Sequence, residues 1–230
     1  MYPHPPGYPP PSPPLRPVRG PAIFAVVALV CDSLVGIVVA VIDLWYAALV
    51  DRMIAAPDSV SDEEVTAGDL IYGLSGILET VVYVVVIVAF LVWLFRVRAN
   101  AEILVPDGHR RATPWLIFGW FVPIVSFWFP KQIVDDIWDA SARSYSAPKG
   151  VFHAWWAAWL SGTLVANVGS RLLFDAEELD EIAAAARFDV VSVSLMLVAA
   201  VLAIVVIRKI TDAQENLRSA VAASGAYRAD

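Results

Sequence analysis

The chain has 230 residues, 59% of them hydrophobic, and a mean hydropathy of +0.66. That is too apolar for a soluble domain and too short for a large transporter, so the first reading is an integral membrane protein. The formal net charge of −7 gives nucleic acid no basic surface to bind, and no nucleic-acid partner is expected.

Residues 1–21 hold ten prolines and no apolar run, which predicts a disordered cytoplasmic tail with local polyproline II character. Such a tail can serve a protein partner with an aromatic-lined groove; the plainer reading, a solvated leader, is preferred. A membrane domain is expected over 22–210 and a cytoplasmic C-terminal tail over 211–230. Four stretches are long enough to span: Ala22 to about Leu44, about Leu70 to Phe95, about Val151 to Leu173, and about Val190 to Ile207. The first exceeds a signal-peptide core and reads as a retained anchor. The sole cysteine, Cys31, reads as a small core residue of that helix.

Charge sets the orientation. With four spans and a central segment that does not cross, thirteen of the sixteen basic residues fall on one side, together with both termini. Short cytoplasmic loops carry such an excess, so the termini are placed inside a cell membrane and the acidic loops 51–69 and 174–189 outside. Letting 114–129 cross leaves only eight basic residues inside.

The central segment, Thr113 to Tyr145, is expected to be re-entrant or interfacial. Thr113 can cap a helix opening on Pro114, but Pro123 removes a helical hydrogen bond and turns Val122 away from helix. Trp115, Trp120, Trp128, Trp138, Trp155, Trp156 and Trp159 are placed near the inner boundary as an aromatic belt. After Pro130, Ile133, Val134, Ile137, Trp138, Ser141 and Tyr145 recur at helical spacing, while Asp135, Asp136, Asp139 and Arg143 take the other face. An acidic face suits docking onto the chain's own basic loop, Arg96 to Arg111. The fold class is therefore all-α: a helical bundle of four transmembrane helices plus a proline-broken central segment.

Trp93, Arg96, Asn100 and Ala101, followed by Gly119, Trp120, Pro123, Trp128 and Pro130, make up a W-x-x-R-x-x-x-N-A stretch and a G-W-x-x-P-x-x-x-x-W-x-P block. Over about residues 70–218 the chain resembles the domain of unknown function 4328 family of multi-pass membrane proteins from high-GC Gram-positive bacteria. The resemblance implies a bacterial membrane protein and supplies no activity. Family members tend to have basic or neutral residues after the second proline, where this chain has Asp135, Asp136 and Asp139.

Those three acids match a D-D-x-x-D spacing able to ligate a hard cation, but no second acidic motif accompanies them and a solvated helix face is the preferred reading. His4, His109 and His153 lack metal-ligand spacing, and no phosphate loop is present. No cofactor and no catalytic residue is expected. The better candidates are polar groups inside the membrane, because ionisable groups are costly there. Asp32 and Asp43 share one stripe of the first helix with Gly36, Asp32 the deeper. Glu79 is placed at another depth, near Asn167 and Ser192, with Arg171 reaching toward Glu79 or Asp43. The leading function is a non-enzymatic interaction or scaffold module using its cytoplasmic face. Proton- or ion-linked transport through the intramembrane acids is the alternative, and a lipid-modifying enzyme comes third.

Overall fold

A computed structural model describes residues 13–143, 148–174, 176 and 178–226, with side chains to 223. Residues 1–12 of the proline-rich stretch, Tyr145 and residues 227–230 lie outside the described residues. Among the described residues six α-helices follow in order: α1 Arg19–Ala55, α2 Asp62–Leu104, α3 Trp115–Phe121, α4 Phe129–Ala142, α5 Gly150–Phe174 and α6 Leu179–Ala226. No strand occurs among the described residues.

Three helices, α1, α2 and α6, are long and apolar enough to cross a membrane. The expected span at Val151–Leu173 is helical, as α5, but is not among them. Trp155, Trp156, Trp159, His153, Asn167 and Arg171 dilute its apolar content. α2 has 43 residues and α6 has 48, so at about 1.5 Å per residue each runs roughly 65–70 Å, about twice a bilayer core. Their ends must project beyond the apolar layer. No break falls at residue 210, where the C-terminal tail was expected to begin; α6 continues to Ala226, with Thr211, Gln214 and Glu215 buried.

α6 packs against both α1 and α5, and α1 against α2. α2 and α5 stand on the flanks, and α4 fills the gap between them at one end, touching α2, α5 and α6 while α3 lies against α4. The main core sits at this closed end, where Trp93, Val97, Ile133, Ile137, Phe152, Ile207 and Ile210 are fully buried. The opposite, acid-rich end has only a small cluster around Ala47, Val50, Ala183 and Ala186.

Local chemistry explains the boundaries. Ser61 caps α2 by accepting from the Glu64 N–H at 3.2 Å, and Asp62, Glu63 and Glu64 fill its first turn, where carboxylates suit the helix dipole. Thr113, the expected cap of α3, does not cap with its side chain; its carbonyl accepts from the Leu116 N–H at 3.1 Å, as in a tight turn. α3 ends before Pro123, as its ring requires, and α4 opens with Pro130 in its first turn. Between them Ile124 has φ 68° and ψ −56°, and the Val125 N–H donates to the Pro123 carbonyl at 2.7 Å. This is a γ-turn of the strained hand, in a β-branched residue.

Cys31, expected in the core, is exposed on α1. It shares that outward face with Val27, Val30 and Leu34. A bilayer satisfies such a surface; water does not.

Candidate functional site

Two regions gather the polar residues. The first lies in the apolar stretch of the bundle. Asp32, Ser33 and Gly36 of α1, Glu79 of α2 and Ser192 and Met196 of α6 line one cavity of about 60 Å³. Asp32 and Glu79, expected at separate depths, therefore share one cavity. Gly36, on the stripe of Asp32 and Asp43, faces α6: a Cβ there would stand 3.5 Å from Val193 Cγ1. Small residues at such crossings allow helices to approach closely.

Asp43 is 2% exposed and lies beside Asp189 of α6, a partner sequence reasoning missed. Its Oδ2 meets no hydrogen-bond donor among the described residues. Ser192 joins the cavity, but Asn167 does not: its amide donates to the Thr163 carbonyl of its own helix at 2.7 Å. Among the described residues no ion pair joins Arg171 to Glu79 or Asp43. Arg187 instead pairs with Asp51, and Arg52 with Glu64, at the acid-rich end.

The second region is the closed end. On α4, Lys131 Nζ donates to Asp135 at 2.6 Å, Arg110 to Asp136 at 2.7 Å and Lys149 to Asp139 at 2.6 Å. The three carboxylates turn to three different cations. Among the described residues no group of three or more His, Cys, Asp or Glu is placed to hold a metal ion. The acidic face does dock onto the basic loop: the Arg110 N–H also donates to Asp136, at 2.9 Å, and the Arg111 guanidinium donates to Gln132 Oε1 while stacking 3.6 Å over the Phe129 ring. α4 thus packs into the protein, with Asp136 itself buried. The hydrogen bond from Arg110 to Asp136 raises the guanidinium's pKa. Burial, then the charge of Arg98, pushes His109 below its ordinary value.

The aromatic residues interlock. Trp120 meets Phe90 and Trp159 edge-on, each at 5.4 Å, with Trp156 at 6.2 Å. The indole of Trp156 donates to the Phe127 carbonyl at 3.1 Å and fastens the turn. Trp138 packs on Phe152 and Trp115 on Phe129. Gly119 lets α3 lie on α4: a Cβ there would be 3.4 Å from Phe129 Cβ. Trp128 remains exposed.

The remaining motif residues organise a buried polar network. Trp93 Nε1 donates to Thr211 Oγ1 at 3.1 Å. Asn100 accepts from the Arg16 N–H at 2.9 Å and donates to the Arg16 carbonyl at 2.8 Å and to Gln214 Oε1 at 3.1 Å. Ala101 is fully buried beside it, whereas Arg96 is only half-buried and outside the network. Sequence matches residues 56–212 to a domain of unknown function, DUF4328. The chain belongs to that family. No curated protein and no solved structure matches it. Seen in this DUF4328 chain, the two motif blocks serve the closed end: Trp93 and Asn100 of α2 tie to α6 and to Arg16, while Gly119, Trp120, Pro123 and Pro130 shape the α3–α4 hairpin.

Proposed function

We propose that this protein is a non-enzymatic, multi-pass membrane module that works through its closed, basic end. α1, α2, α5 and α6 span the cell membrane, with both termini cytoplasmic, and the hairpin from α3 to α4 enters and leaves on the cytoplasmic side. The bilayer is the first partner, and the proline-rich segment offers a surface to a protein with an aromatic-lined groove. The observation that carries the reading is the separate pairing of Asp135, Asp136 and Asp139 with Lys131, Arg110 and Lys149. Acids neutralised one by one stiffen a docking platform; a lipid-modifying site would need them convergent and free.

The orientation is tested in a Cys31→Ser background with an impermeant thiol reagent added outside cells. Both test positions, Asp58 and Pro148, are exposed on the protein surface. Asp58→Cys is expected to be labelled and Pro148→Cys protected. Labelling of Pro148→Cys from outside overturns the topology.

A second reading has its own support. The cavity between Asp32, Glu79 and Ser192 has room for a few waters, and the orphaned Asp43 oxygen lies beside Asp189. Proton- or ion-linked transport would use these groups. If Asp32→Asn and Glu79→Gln insert and stay as stable as the wild type, yet a proton- or ion-driven flux into liposomes disappears, the transport reading replaces the scaffold.

A further inference from the structure

Residues 16–18 run across the closed end as a short strap that leads into α1 at Arg19. The Val18 side chain is fully buried in the core, and every hydrogen bond holding the strap is made to its backbone. Asn100 grips both the N–H and the carbonyl of Arg16, while the Arg16 side chain is exposed. Glu215 Oε1 accepts from the Val18 N–H at 2.7 Å and the Arg19 N–H at 3.3 Å, while its other oxygen takes the Arg218 guanidinium at 2.6 Å. A carboxylate from the far end of the chain thus supplies the cap that Val18 cannot.

Beneath the strap the hydrogen bonds have a direction. Since Arg16 presents its N–H to Asn100 Oδ1, the Asn100 amide can stand only one way round; turned over, its NH₂ would face a donor. Its Nδ2 then donates to Gln214 Oε1, in the same sense that the Val97 carbonyl imposes on the Gln214 amide. Gln214 Nε2 donates to the Val97 carbonyl at 2.9 Å and to Ser141 Oγ of α4 at 3.0 Å, and Ser141 donates to the Ile137 carbonyl at 2.6 Å. Asn100 and Gln214 are each 1% exposed, so neither has water as an alternative partner.

We propose that Asn100, Gln214 and Glu215 form a peptide-backbone slot, occupied by the chain's own residues 16–19, and that occupancy of the slot sets how firmly the last turn of α4 is docked. At position 16 the slot reads backbone and not the side chain, so it accepts the segment whatever non-proline residue stands there. It joins the proline-rich stretch directly to the α4 platform: a partner that draws residues 13–17 away leaves Asn100 Oδ1 buried without a donor and one Asn100 N–H without an acceptor, which weakens the hydrogen-bonded chain from Asn100 through Gln214 to Ser141. The inference stands on the contacts of Arg16 to Arg19 and does not depend on what the rest of the segment binds.

The test is amide hydrogen exchange on the full chain in lipid nanodiscs. Arg16→Ala keeps the backbone groups and is expected to exchange like the wild type. Arg16→Pro removes, beyond the side chain that Arg16→Ala also removes, the N–H that Asn100 accepts, and leaves Asn100 Oδ1 buried without a donor. Exchange is then expected to rise roughly tenfold at Val18 and Arg19, and also at Ala140 to Ala142 of α4. Asn100→Asp keeps the acceptor for the Arg16 N–H but loses the donors to the Arg16 carbonyl and to Gln214 Oε1, so it breaks the other half of the grip and is expected to raise exchange at the same residues as Arg16→Pro; if it does not insert, Arg16→Pro decides alone. Faster exchange in Arg16→Ala equal to that in Arg16→Pro overturns backbone reading. Release of Val18 and Arg19 with α4 unchanged reduces the contact to a helix cap and overturns the coupling. No change in Arg16→Pro overturns the slot itself.

Discussion

Arg110 holds Asp136 twice, by its guanidinium at 2.7 Å and by its backbone N–H at 2.9 Å, and the two residues differ in exposure: the Asp136 side chain is 6% exposed and that of Arg110 is 52%. The asymmetry decides which half of the pair is costly to lose. Removing Asp136 leaves a guanidinium that can turn to water. Removing Arg110 leaves a buried carboxylate with one backbone donor, close to Asp135 and Asp139. Arg110→Ala is therefore expected to destabilise by about 2–3 kcal/mol, and Asp136→Asn by about 1 kcal/mol, after discounting for the exposed partner. Thermal unfolding in detergent checks this, and the double variant should be more stable than Arg110→Ala alone. An Asp136→Asn cost above that of Arg110→Ala refutes the argument.

Acid should loosen the closed end in two stages. His109 is held below its ordinary value of 6.5, first by burial and then by the charge of Arg98. The unfolded chain binds that proton more readily than the folded one, so stability declines as pH falls below about 6.5. Glu215, on the part of α6 beyond its apolar run, is affected first by burial, which pushes its pKa up. The Val18 N–H, Arg218 and the Arg19 N–H together outweigh that effect and hold it below 4.5. Its contribution is complete above the unfolded pKa of about 4.5 and is lost as pH falls through the folded value. Melting temperature measured against pH should lose the upper stage in His109→Gln and weaken the lower stage in Glu215→Gln. An unchanged profile in either variant removes that residue from the account.

Gly119 is expected to tolerate no large side chain. With a Cβ already at 3.4 Å from Phe129 Cβ and 4.0 Å from both Ile133 Cδ1 and Pro130 Cδ, leucine must push α3 off α4. The overpacking cost is about 1–3 kcal/mol. Gly119→Leu should also shift tryptophan emission to the red, since displacing α3 opens the packing of Trp120 against Phe90 and Trp159. Unchanged emission and melting together refute the close contact.

The sequence foretold elements whose cause is local. The break before Pro123 follows from ring geometry, and the docking of α4 from acids at helical spacing opposite a basic loop. The contacts that complete each site are distant in sequence. Asn100 meets Arg16 across 84 residues and Gln214 across 114, and no periodicity encodes such pairs. Asp43 was legible as an unusual acid, but Asp189 beside it was not, because it sits at the far end of another helix's apolar run. Cys31 misled because a uniformly apolar helix in a membrane does not reveal which face is the core. The direction of the Asn100–Gln214–Ser141 hydrogen bonds lies further still from the sequence, since it depends on three helices at once.

Ile124 offers a test of whether the hairpin tip is built for geometry or for lipid. Its positive φ costs on the order of 1–3 kcal/mol in a β-branched residue, and glycine relieves this at an entropic cost of about 0.5–1 kcal/mol. With the Ile124 side chain 67% exposed, little packing is lost. Ile124→Gly is therefore expected to raise stability in detergent by about 1 kcal/mol. The same change deletes an apolar side chain at the tip, between the exposed rings of Phe121 and Phe127. If the tip enters the bilayer, depth-dependent quenching by brominated lipid of a tryptophan placed at Phe127, compared with and without Ile124→Gly, should weaken when glycine is present. A variant that is less stable in detergent refutes the strain at Ile124, whatever the quenching shows. Quenching that is absent from the start refutes insertion, because a tip held in water would be out of reach of the acyl chains in either variant.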